Sequence, residues 1–187
     1  MLKRILLFIL LCLPVAVWAF VKPVRIVMPE LAGVTCPTET LCIDDVARSD
    51  EATKLYDQAL QYVDTSVGTV KDKPRIIFCS TEACSNSFGL GGRAGMTIGT
   101  FGIVLSPRGW TPYYVRHEVI HHLQSERLGT IAVWRDPQWL IEGMAYALSE
   151  DPRPVLVEPF EKYRTKFKSW YEQVGKDQLW QAARKVK

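Results

Sequence analysis

The residues best equipped for chemistry are His117, Glu118 and His121 in the run HEVIH, followed by Glu142 in the run WLIEG. On a helix, positions four apart lie on one face a turn above one another, so His117 and His121 can direct two imidazoles at one ion. Glu118 lies about 100° around the helix from His117, so it is poorly placed to ligate that ion and well placed to exchange a proton with water beside it. Two neutral imidazoles and one carboxylate leave net positive charge on a bound zinc, which lowers the pKa of a coordinated water toward neutrality. That ligand set suits Zn2+, one per chain, better than the other common divalent ions. The chemistry implied is metal-assisted hydrolysis.

Two helices must position these groups. Thr111-Pro112 predicts the start of the first, with a capping hydroxyl and a proline where a missing N–H costs nothing, and Gly129 predicts its left-handed end. Asp136-Pro137 repeats the start signal, which places Glu142 within the first two turns of the next helix. Upstream, Val24 to Met28, Arg75 to Cys79 and Phe101 to Ser106 read as strands. Asp50 to Val63 carries Ala52, Leu55, Ala59, Leu60 and Val63 at helical spacing behind Ser49 or Asp50 as a cap. The whole is an α+β pattern with few strands, without repeats or linkers. Gly89 to Ala94 superficially matches a dinucleotide fingerprint, but a strand-like segment follows it and no helix opens there, so it reads as a connection.

The compartment is legible at the N-terminus. Lys3 and Arg4 precede an apolar run from Ile5, and Val17-Trp18-Ala19 offers small residues at the positions a signal peptidase reads, so residues 1–19 are expected to be a cleaved secretory signal. An uncleaved anchor is the alternative, because the apolar run continues through Val21. Either way residues 20–187 form one extracytoplasmic domain, secreted or periplasmic, of a length that suits a single core. Loss of Lys3 and Arg4 lowers the formal charge from +3 to +1, which leaves no basic footprint for nucleic acid or anionic lipid. The C-terminal cations Lys162, Arg164, Lys166 and Lys168 read as a solvated face of a helix from Pro159 to Lys187. Cys36 with Cys42 and Cys79 with Cys84 read as two local disulfides, and the competing four-thiolate zinc site fits the Cys36 spacing poorly.

The HExxH helix and the following WLIEGMAYALS segment, Trp139 to Ser149, resemble the gluzincins, the thermolysin-like and aminopeptidase-like zinc peptidases. The likeness covers about fifty residues, Gly99 to Ser149. It implies a compact zincin-like domain, His117, His121 and Glu142 as zinc ligands, Glu118 as general base, and a peptide or protein as substrate. It also implies an edge strand above the metal for an extended substrate, with Phe101 to Ser106 in the matching place. Where many members have asparagine before the third ligand this chain has Ile141, so support for the ligands must come from elsewhere. Tyr146, Tyr163 and Tyr171 are the candidates for stabilising a tetrahedral oxyanion. Two further readings stand beside this one: an exported zinc-binding module without turnover, covered by its C-terminal helix, and hydrolysis of a non-protein amide such as a cell-wall peptide bond. His122 reads as a rim or partly buried histidine, and Trp110, Tyr113 and Tyr114 as packing. Ser106 and Ser125 lack a triad, since the histidines are committed to metal spacing.

Overall fold

Three short apolar runs are buried at every position: β1 (Leu41–Ile43), β2 (Ile76–Phe78) and β4 (Gly102–Leu105). Such runs belong to strands covered on both faces. The computed structural model, which describes residues 13, 14 and 17–186, places them in a four-stranded sheet of order β1-β2-β4-β3. The first three are parallel, with Leu41 opposite Ile76 and Ile76 opposite Ile103. The fourth, β3 (Gly95–Ile98), pairs antiparallel to β4 and forms one edge. Most of the signal or anchor expected at residues 1–19 lies outside the described residues.

Strand alternation divides the interior. Leu41, Ile43, Ile76, Phe78, Ile103 and Leu105 point to one side and pack on the helices, whereas Cys42, Ile77 and Val104 point to the other, against Ile26, Phe88 and Leu90. The helical layer contains α1 (Ser49–Ser66), α3 (Pro112–Leu128), α5 (Gln138–Leu148), α6 (Phe160–Val174) and α7 (Leu179–Ala183). Two short helices, α2 (Glu82–Ser87) and α4 (Thr130–Arg135), lie between the longer ones. This is the expected α+β class. Helix α3 lies at the centre, buried on nearly every side from Val115 to Ser125, which explains its lack of a clean polar stripe.

Several expectations are corrected. Val24 to Met28 is not a strand: Lys22–Val27 is a 3-10 helix, because Pro23 cannot donate to a ladder and its fixed φ suits a helical turn. Ser49 and Asp50 do not cap α1, since a 3-10 turn at Val46–Arg48 runs directly into it and Asp45 caps that turn by accepting from the Ala47 N–H. Thr111 precedes α3 without a side-chain capping bond, and Gly129 ends it at φ 95° and ψ 139°, positive φ but outside the left-handed helical well. The expected Pro159 to Lys187 helix breaks at Gly175 into α6 and α7. Arg164 is not solvated. Its guanidinium is buried and donates to the carbonyls of Arg153 and Pro154 and to Glu161, while Lys162, Lys166 and Lys168 do face water.

A candidate metal centre between two helices

Helix α3 presents His117 and His121 one turn apart, and α5 crosses it to bring in Glu142. The two Nε2 atoms are 3.1 Å apart. Glu142 Oε2 is 3.6 Å from His117 Nε2, and its Oε1 is 3.7 Å from His121 Nε2. All three donor atoms fall within 4.8 Å of one another. Ligands about 2.0–2.1 Å from a tetrahedral zinc stand about 3.3 Å from each other, so this donor set fits such an ion with little adjustment. Burial alone would raise the Glu142 carboxyl, but the neighbouring His121 and His117 hold it well below the usual carboxylate range. Burial alone would lower His121, and the adjacent Glu142 outweighs that and raises it. The cluster is thus a convergence of one carboxylate on two imidazoles.

The support that Ile141 cannot give through its side chain comes through its carbonyl. Gln124 Nε2 donates to Ile141 O at 2.8 Å, and Gln124 Oε1 lies 2.8 Å from His121 Nδ1. A carbonyl only accepts, so the Gln124 amide must turn its NH2 to Ile141 and its oxygen to His121. His121 Nδ1 must then carry a proton, which leaves Nε2 as the ring atom that would ligate a metal. Fully buried Gln124, three residues beyond His121, was missed from sequence. Its position on the ligand face was the available signal.

Glu118 is buried beside the cluster and held by the sheet. Thr97 on β3 donates to Glu118 Oε2 at 2.7 Å, and its hydroxyl is 2.9 Å from the Glu118 carbonyl. Gly95, two residues earlier, leaves the space: a Cβ there would stand 2.6 Å from Glu118 Oε1 and Cγ. The strand beside the site is therefore β3. The expected Phe101 to Ser106 strand exists as β4 but is interior, paired on both sides.

These groups line a cleft of about 700 Å³. Of the three tyrosines, only Tyr146 lines it, with its ring centroid 4.4 Å from that of His117. Burial, reinforced by the nearby Glu142, pushes its phenol up to about 12, so at neutral pH it keeps its proton and remains a donor. Tyr163 packs against Phe160 away from the lining, and Tyr171 stacks on Phe167 in the core. Tyr114, expected to be packing, lines the cleft, whereas Trp110 is buried and donates to the Cys79 carbonyl. His122 turns to the far side of α3, where its Nε2 meets the Asp72 carbonyl at 2.8 Å and Glu126 at 3.3 Å. Ser106 and Ser125 donate to backbone carbonyls.

The cysteines pair as expected, Cys36 with Cys42 and Cys79 with Cys84, which excludes a four-thiolate zinc site and fits an oxidising compartment outside the cytosol. Among the described residues no helix is long and apolar enough to cross a membrane. No protein-family model, curated protein or solved structure matches the chain.

Proposed function

We propose that this protein is a secreted or periplasmic zinc metallopeptidase of gluzincin type, hydrolysing peptide bonds in a peptide or protein substrate. The observation that carries the reading is the convergence of His117, His121 and Glu142 with a separately held Glu118 beside them. His117, His121 and Glu142 would hold the zinc ion, which when bound would acidify a water toward neutrality and offer positive charge to a carbonyl oxygen under attack. Glu118 then takes the proton of the attacking water and returns it to the leaving amine. Thr97 fixes the carboxylate that performs this exchange, and Gly95 lets it approach the strand edge. Gln124 fixes the His121 tautomer, and Tyr146 offers a neutral O–H donor within the cleft.

Glu118→Gln keeps the shape and removes the proton acceptor. The expected outcome on a peptide mixture is loss of turnover by at least about 100-fold with zinc content unchanged. Cleavage by wild type that persists in Glu118→Gln would contradict the assignment. The reading without turnover gains no support from the expected lid, because α6 reaches the cleft only through Phe160 at its start.

A further inference from the structure

Strand β3 and helix α3 run side by side in the same direction, and their contacts give the cleft two distinct ends. At one end a Cβ on Gly109 would meet the Ala94 carbonyl, in the middle Gly95 and Thr97 meet Glu118, and at the other end Gly99 lies against Thr130 of α4. Arg93, Arg108 and Arg153 line the cleft near the start of α3, where Arg153 lies over the Tyr114 ring. Arg153 is paired with the buried Asp151. Arg93 and Arg108 are exposed and have no acidic partner among the described residues, and Arg108 donates only to the Gly92 carbonyl. The acids lining the cleft are Glu118 and Glu142, both engaged at the metal centre. Among the described residues no cation lines the end near α4: Val133, Trp134 and Gln138 line it, and Trp134, 77% exposed, stands three residues after the similarly exposed Ile131, whereas Leu156, Val157 and Phe160 add apolar surface beside Arg153.

Resting on the peptidase reading above, we propose that the cleft selects peptides that place a carboxylate against Arg93 and Arg108 on one side of the scissile bond and a bulky apolar side chain against Trp134 on the other. Opposite requirements at the two ends also fix the direction in which a peptide lies along β3. An acidic side chain and a free C-terminus both supply the carboxylate.

The test digests a synthetic mixture of ten-residue peptides, half with free and half with amidated C-termini, using zinc-loaded protein, and reads the cut bonds by mass spectrometry. The proposal predicts cuts flanked by a carboxylate on one side and a large apolar residue on the other. Preference confined to the free-acid half would identify the terminus as the source, and equal cutting of acidic peptides in both halves would identify the side chain. Arg93→Glu should shift preference from acidic to lysine-bearing peptides by roughly five-fold, as expected for exposed charges. Trp134→Ala should remove the apolar preference. Cuts indifferent to charge, or a charge preference that Arg93→Glu leaves in place, would overturn the proposal while leaving the peptidase standing. If wild type cuts nothing, retention of the same peptides on immobilised Glu118→Gln protein decides. Selective retention of the acidic ones would support this recognition and sink the peptidase, and no selective retention would sink both.

Discussion

The chemistry depends on how few ways each group can sit. His121 keeps a proton on Nδ1 because Gln124 has one orientation, and Gln124 has one orientation because the Ile141 carbonyl can only accept. Gln124→Ala should therefore weaken zinc binding by about 10- to 100-fold, measured by competition with a chromogenic chelator, without loss of fold. Unchanged affinity would mean that the tautomer is set elsewhere. Glu118 depends in the same way on the bare edge at Gly95, where an added Cβ would stand 2.6 Å from its carboxylate. Gly95→Ala should reduce turnover and leave zinc content intact, which separates placement of the base from binding of the metal. His117, His121, Glu142 and Glu118 were legible as residue types at fixed spacings. Thr97 was not, because a hydroxyl has no spacing of its own, and Gln124 showed only its place on the ligand face, while the fold alone shows that it meets the Ile141 carbonyl.

At the scale of elements, the site needs α5 to stay close to α3 while α6 backs it. Gly143, the residue after Glu142, makes the close approach possible, since a Cβ there would lie 2.4 Å from the Tyr163 carbonyl of α6. Gly143→Ala should destabilise the protein by about 1–3 kcal/mol through overpacking and should weaken zinc binding as α5 shifts, read by denaturant titration and metal competition. A neutral effect on both would show that the α5–α6 crossing has slack. Arg164 pins the loop that carries Arg153 and Leu156 into the cleft by donating to two of its carbonyls. Helices α1, α3 and α5 were readable from periodicity, proline starts and glycine ends. The three-residue strand β1 is too short to show a period, and β3 packs half-exposed beside the site, so its role passed in sequence to the more hydrophobic β4. Arg164 was misassigned because charge alone does not reveal backbone carbonyls waiting to be paired.

For the molecule as a whole, the sheet separates two tasks. One face packs against the helices that carry the metal centre, and the other covers a smaller cluster that includes Cys42 and Cys79. The disulfides should act on stability and not on the metal. The Cys79–Cys84 bridge closes a separation of five residues, for which loop-closure entropy gives about 2 kcal/mol, so Cys79→Ser with Cys84→Ser should lower unfolding free energy by about that amount and retain zinc at low temperature. Loss of zinc in that double variant under folding conditions would contradict the separation. The hydrolysis proposed for the cleft depends on one premise, that His117, His121 and Glu142 together hold an ion. The most direct measurement is metal content by elemental mass spectrometry on protein purified without chelator or histidine tag, with His121→Ala and Glu142→Ala in parallel. About one zinc per wild-type chain, lost or sharply reduced in both variants, is the predicted result. A folded wild type with no tightly held metal, or zinc retained in full by both variants, would contradict it.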